Sequence, residues 1–159
     1  MTPSNRPPLE VDMESLPGHA IRRLHQIAVA IFLQEGAEHG LTPVQYAAVQ
    51  TLATSPGIDQ RSLARAIGLD TSTLGGVIDR LESRGLVQRQ ASREDRRVRL
   101  LVLTEAGASL LERAIPAMRR AQERILEPLQ PADRERFMRL VRTLVVANNE
   151  LSRAPSEPV

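Results

Sequence analysis

Three arginines, Arg93, Arg96 and Arg97, crowd a six-residue segment that reads SREDRR. The polar stretch 91–97 separates two apolar runs, which predicts a hairpin tip where these side chains have no core to fill. Guanidinium groups held at such a tip suit an anionic surface, above all a phosphate backbone or a narrow minor groove. The alternative is a solvated basic turn. Asp95 would orient these guanidiniums through charge-assisted hydrogen bonds.

A second group of polar side chains lies upstream. Thr71, Ser72 and Thr73 open a predicted helix that carries Leu74, Val77, Ile78 and Leu81 on one face and stops at Gly85. The N-terminal residues of a helix seated in a major groove face base edges, so these three are candidate base and phosphate contacts. Ordinary N-capping by at least one of them is the other role. Arg80 either reaches a phosphate or forms an intrahelical ion pair with Glu82 or the acids near Asp79. Residues 59–99 hold nine Arg against six acids, an excess of three where the whole chain has +2.

Holding these groups requires a scaffold. Residues 15–39 predict a first helix, with Pro17 in its first turn and Gly40 as its stop. Its run 27–33 is apolar on every side, and such a helix must be buried all round, which a small chain achieves best at a subunit interface. Thr42, Pro43 and Gln45 start a second helix with Val44, Ala47, Ala48, Val49 and Leu52 inward, ended by the Ser55-Pro56-Gly57 turn. Asp59 caps a third helix that stops at Gly68. Two short helices joined by a tight glycine turn match helix-turn-helix chemistry. Strands at 86–90 and 98–103 then make a two-stranded hairpin, a wing. Thr104 caps a long helix in which Pro116 predicts a kink, and Pro128 and Pro131 precede a last helix at about 132–151.

The expected organisation is one domain over 14–151, between a mobile arm at 1–13 and a mobile tail at 152–159. A winged helix-turn-helix at about 42–103 would sit between long helices at 15–39 and 104–151. Several function classes are disfavoured. The absence of Cys excludes disulfides, thiol redox sensing and Cys-based zinc sites. With Phe32, Tyr46 and Phe137 the only aromatics, base stacking on an aromatic platform is unsupported. No nucleophile–base pair, phosphate-binding glycine loop or metal-ligand cluster is evident, so neither an enzyme nor a cofactor is expected. A metal sensor using His19, His25 and His39 is the weaker alternative, since the first two lie six positions apart and helical neighbours fall three or four apart. No secretory or membrane-spanning run is present, which predicts a cytoplasmic chain without a membrane partner.

The segments LTPVQYAAVQTLA (41–53), RSLARAIGLDTSTLGGVIDRLESRGLV (61–87) and REDRRVRLLVLTEAG (93–107) resemble the MarR family of bacterial transcriptional regulators, and the resemblance spans about 15–151. It implies a mainly α fold with a small β-hairpin wing, a winged helix-turn-helix carried on long dimerisation helices. It also implies a homodimer on a pseudo-palindromic operator in double-stranded DNA, usually a repressor released by a small ligand. An activator or a regulator responding to another ligand is the alternative. The resemblance places Arg96 in the minor groove or on its edge. Two departures stand out. Ser92 takes the first position of a D-x-x-D-R-R wing pattern, which removes one of two acidic buttresses. Gly75 and Gly76 lie inside the recognition helix at a cost of roughly 1 kcal/mol each relative to Ala. They permit either a close backbone approach to DNA or simply fewer base contacts.

The family's effector pocket lies between the dimer helices and the DNA-binding lobe, and often takes aromatic carboxylates. His19, Arg22, Arg23, His25 and Tyr46 are the candidate ligand residues here. A core role for His25 and a solvated face for Arg22 and Arg23 are the other readings. The stretch LPGHAIRRLHQIAVAIF (16–32) is further similar to the first helix of the MarR-type repressors of nicotinic acid degradation, the NicR and BpsR group. That resemblance implies an effector similar to 6-hydroxynicotinic acid.

Overall fold

The computed structural model describes residues 11–95, 97–152 and 155. These form six helices: α1 Pro17–Glu35, α2 Pro43–Thr54, α3 Gln60–Ala66, α4 Thr71–Ser83, α5 Glu105–Leu126 and α6 Pro131–Ala147. Three short strands accompany them: β1 Ile58–Asp59, β2 Val87–Ala91 and β3 Arg99–Leu103. The mainly helical fold with a small wing is therefore the one expected. Most of the N-terminal arm and the C-terminal tail lies outside the described residues. Within the arm, Met13–Ser15 forms a 3-10 turn capped by Asp12.

Local chemistry sets most helix starts. The Thr42 hydroxyl accepts from the Gln45 N–H at 3.2 Å while the Gln45 amide oxygen accepts from the Thr42 N–H at 3.0 Å, a complete capping box. Asp59 accepts from the N–H groups of Arg61 and Ser62 at 2.9 and 3.0 Å. The Thr104 hydroxyl accepts from the Gly107 N–H at 3.0 Å and donates to the Gly85 carbonyl at 2.6 Å. It thus caps α5 and ties that helix to the end of α4.

Other boundaries differ from those the sequence predicts. The first helix ends at Glu35, capped by Gly36, not at His39. Gly36 is pressed against α5, where a Cβ would come 2.6 Å from the Met118 methyl carbon. The chain then tightens through the 3-10 turn Ala37–His39 and reverses at Gly40, whose φ is +61°. α5 runs uninterrupted through Pro116. α6 ends at Ala147, and Asn149–Leu151 is a separate 3-10 turn.

The wing is a three-stranded antiparallel sheet in the order β1-β3-β2, rather than the two-stranded hairpin the sequence predicts. Val87 faces Leu103 and Ala91 faces Arg99 across β2 and β3, while Ile58 faces Leu101 across β1 and β3. Two residues of β1 cannot show an alternating pattern, and Asp59 already serves as the α3 cap.

Leu52, Leu63, Leu74, Ile78, Leu81 and Leu101 close a fully buried core beneath the helix-turn-helix and the sheet. A smaller cluster of Phe32, Ala117 and Met118 joins α1 to α5. Tyr46 packs against both. Outside these cores the long helices are bare. Ile21, Leu24, Ile27 and Leu33 of α1 are exposed, as are Leu140, Leu144, Val145 and Val146 of α6. α6 buries no residue at all in the single chain. Of the apolar run 27–33, only Phe32 is buried there. Among the described residues no helix is long and apolar enough to cross a membrane.

Candidate nucleic-acid interface

α4 begins on Asp70. Its carboxylate accepts from the Thr73 N–H at 2.8 Å, the Thr73 hydroxyl at 2.6 Å and the Ser72 hydroxyl at 2.7 Å. These donors, the Thr73 hydroxyl first, pull the Asp70 carboxyl down to about 2. Thus none of Thr71, Ser72 and Thr73 caps the helix, contrary to the expectation that at least one would. All three are exposed. A hydroxyl that gives its single proton to Asp70 can only accept from an outside group. Ser72 and Thr73 therefore present acceptor oxygens to the solvent.

The rest of α4 is fixed by a residue that sequence reasoning missed. Arg89 on β2 reaches across to Asp79 at 2.6 Å and pairs with Glu82. The Arg89 N–H also donates to Glu82 at 3.2 Å. Burial works against the Arg89 charge, but the two carboxylates prevail and raise its pKa. The one sequence signal was an acid pair three positions apart on a helix, followed by an Arg on the next strand. With both acids engaged, the intrahelical pair considered for Arg80 does not form. Arg80 is exposed, and its guanidinium lies 4.0 Å from the space above Gly76.

The wing tip is built from backbone bonds. The Ser92 hydroxyl accepts from the N–H groups of Glu94 and Asp95 at 3.2 and 3.4 Å, so a neutral acceptor holds the turn where the family pattern has a carboxylate. Asp95 accepts from the Arg97 N–H at 2.9 Å, so it supports the loop backbone. Arg93 and Arg97 are exposed beside it, and Arg96 lies outside the described residues. The structure thus puts the hydroxyl start of α4, Arg80 and the tip on solvent-facing surface, with Arg89 bracing α4 against the wing.

Arg84 is a second missed residue. It donates to the carbonyls of Gly40 at 2.7 Å and His39 at 3.4 Å, tying the end of α4 to the α1–α2 connection. The glycine pair in α4 has distinct surroundings. A Cβ at Gly75 would lie 3.3 Å from the Gln60 amide nitrogen, whereas Gly76 meets only the end of Arg80.

The candidate effector residues do not converge within one chain. Arg22 donates to Gln26 at 3.2 Å and lies 3.4 Å from His19 Nδ1, near the start of α1. Arg23 and His25 are exposed. Tyr46 lies against Phe32 with ring centroids 5.8 Å apart, about 15 Å along the helix from Arg22 at 1.5 Å per residue. Its hydroxyl donates to Gln50 at 3.2 Å. Burial raises its pKa, opposed by the positive charge of Arg119 on α5, another residue the sequence did not single out. An open groove of about 430 Å³ lies elsewhere, lined by Glu35, Arg120, Glu123, Arg124, Glu127 and Arg134. There Arg120 and Arg124 hold Glu35 at 3.1 and 2.7 Å, so its charges are largely spent on one another. His39 is buried away from His19 and His25, and among the described residues no three His, Asp or Glu side chains gather as metal ligands would.

Comparison with known proteins agrees with this geometry. The MarR family model matches residues 41–98, from the start of α2 through the helix-turn-helix to the wing tip. The transcriptional repressor NicR of Pseudomonas putida is 32% identical over 146 residues, covering 91% of this chain and 92% of NicR. BpsR of Bordetella bronchiseptica, whose DNA binding is regulated by 6-hydroxynicotinic acid, superposes with a TM-score of 0.80 at 30% identity, over 85% of this chain and 96% of BpsR. The PcaV regulator of Streptomyces coelicolor, solved with its natural ligand, gives 0.82 at 34% identity, over 88% and 99% of the two chains. With the winged helix-turn-helix, the long flanking helices and relatives matched along nearly their whole length, this chain belongs to the MarR family of transcriptional regulators.

Proposed function

We propose that this chain is a homodimeric repressor that binds a pseudo-palindromic operator in double-stranded DNA and is released by a small aromatic carboxylate of the 6-hydroxynicotinic acid kind. The observation that carries the reading is the continuous solvent-facing edge from α4 to the wing, braced by Arg89. On it, Thr71, Ser72, Thr73 and Arg80 would enter the major groove, and Arg93, Arg96 and Arg97 would meet the adjacent backbone and minor groove, with Asp95 supporting the loop. NicR, a repressor, supports the sign of regulation.

The bare apolar faces of α1 and α6 support the dimer, because two copies that pair these helices remove from water what one copy leaves exposed. Pairing would set the two recognition helices about 34 Å apart, one turn of DNA. It would also bring the partner's first helix alongside, which the effector reading requires, since His19, Arg22, Arg23 and His25 stand apart from Tyr46 in the single chain. Phe32, Tyr46 and Arg119 offer an aromatic wall with a cation beside it, suited to an aromatic carboxylate. BpsR supports the choice of 6-hydroxynicotinic acid. Release follows if the effector binds a dimer shape with the wrong recognition-helix spacing more tightly than the DNA-competent one.

The test is a fluorescence anisotropy titration. Full-length protein is bound to a labelled duplex recovered from a randomised library, and 6-hydroxynicotinate is added, with a panel of other aromatic carboxylates in parallel. Dissociation by 6-hydroxynicotinate is the expected result. Retention of the complex at millimolar 6-hydroxynicotinate would remove that effector from the reading, and failure to recover any preferred duplex would remove the operator.

A further inference from the structure

α4 offers few long side chains for reading bases. Its exposed residues are Thr71, Ser72, Thr73, Asp79, Arg80 and Ser83, of which only Arg80 is long and uncommitted, since Asp79 is held by Arg89. The notch at Gly75 is occupied from outside the helix. Gln60, the first residue of α3, donates its amide N–H to the Thr71 carbonyl at 3.3 Å and lies 3.3 Å from where a Gly75 Cβ would be. Because the acceptor is a carbonyl, the NH₂ end of the Gln60 amide must face it. The amide oxygen and the second N–H have no partner among the described residues. Gln60 is itself held firmly, since Asp59 before it both caps α3 and pairs with Leu100 in the sheet.

We propose that Gln60 is a specificity-determining residue, an adenine-reading amide presented alongside the first two turns of the recognition helix and seated by Gly75. An amide with a free oxygen and a free N–H matches the N6 and N7 edge of adenine in the major groove. Gly75 borders Ser72 and Asp79, so whatever sits on it enters the groove with the N-terminal half of α4. The glycine that removes one base-reading side chain thereby admits another from α3. This inference rests on the DNA-binding reading above.

The test is a specificity profile of the full-length protein: selection from a randomised duplex library, then affinity across every single-base variant of the recovered sequence. Gln60→Ala is expected to lose roughly tenfold discrimination for an A·T pair at one position per half-site, as for a lost bidentate base contact, while other positions keep theirs. Gly75→Ala should relax the same position, because the added methyl displaces the amide. Thermal melts establish that each variant is folded, and Gln60→Glu, which keeps the side chain's length but cannot donate to the Thr71 carbonyl, should lose the adenine preference at that position as Gln60→Ala does. A Gln60→Ala profile identical to wild type, or weakened evenly at every position, would overturn the inference while leaving DNA binding intact. Relaxation of different positions by Gln60→Ala and Gly75→Ala would overturn it as well. If wild-type protein recovers no preferred sequence, the DNA-binding reading falls and takes this inference with it.

Discussion

Gly107→Ala sets two physical effects against each other. On helix propensity alone, an Ala in the first turn of α5 would stabilise the protein by up to roughly 1 kcal/mol. The structure predicts the opposite sign. A Cβ at position 107 would overlap the Leu86 carbonyl oxygen and lie 3.0 Å from its carbon and 3.3 Å from its Cα. That peptide has little room to retreat. The Leu86 N–H donates to the Leu81 carbonyl at 3.0 Å, and the Leu86 carbonyl accepts from the Thr104 N–H at 3.1 Å. The Thr104 hydroxyl holds the neighbouring Gly85 carbonyl at 2.6 Å. Moving the chain aside sacrifices two or three such bonds at about 1 kcal/mol each. Residual strain of about 1–3 kcal/mol adds to this. Net of propensity, a loss of roughly 2–5 kcal/mol is expected, or about 4–20 °C in Tm for a chain of this size. Thermal and urea unfolding followed by circular dichroism, at one fixed protein concentration, measures it. Gly76→Ala is the internal contrast, with no backbone in its way and an expected gain of about 0.5–1 kcal/mol. A Gly107→Ala protein as stable as wild type or more so would refute the reasoning, because propensity would then have won over packing.

Three further outcomes follow from the interface. Arg89→Met should weaken operator affinity by roughly tenfold or more while lowering stability by only about 1 kcal/mol, since two carboxylates lose their partner beside the groove; equal affinity by anisotropy would show that the brace is irrelevant to DNA. Arg96→Ala should weaken binding and lower the slope of log affinity against log salt by about one; an unchanged slope would remove Arg96 from the phosphate contacts. Asp70→Asn keeps a capping acceptor but removes the charge. Because the folded carboxyl sits near 2 and the ordinary value is 3.8, the charge stabilises the fold above 3.8 and that advantage fades as pH falls towards 2. The stability gap between wild type and variant should be flat around neutrality and close on acidification, and a gap that widened in acid would contradict the assignment.

Features decided by one or two neighbouring residues were legible in the sequence. The Thr42 box, the Asp59 and Thr104 caps and the positive-φ glycines at 57, 68 and 85 are of that kind. Those decided by contact between distant segments were not. β1 exists because Ile58 and Asp59 meet β3, and two residues carry no pattern of their own. Residues 37–39 are compatible with a helix, and the 3-10 turn they form ahead of a left-handed Gly40 shows only in the structure. The run Asp70 to Thr73 offered four good capping residues in a row, and choosing among them required the orientation of α4. Arg89 and Arg84 were invisible for the same reason, since their partners lie on other elements.

Those cross-element contacts also bear on how an effector would act. The core beneath the DNA-binding lobe and the small cluster between α1 and α5 are separate, and Tyr46 packs against both. Arg84 adds a polar tie from the end of α4 to the chain between α1 and α2. A displacement of α1 against α5 therefore reaches the recognition helix by two routes, one apolar and one hydrogen-bonded. On the proposed reading, an effector seated at Tyr46 presses on the junction of the two cores, where a small shift alters the lobe without unpacking it. The demand on the ligand is then modest. Moving the dimer from 99:1 in favour of the DNA-competent shape to the reverse takes about 5.5 kcal/mol of differential binding. Two identical sites halve that requirement to about 2.7 kcal/mol each, within reach of one charge-assisted hydrogen bond and a buried aromatic face.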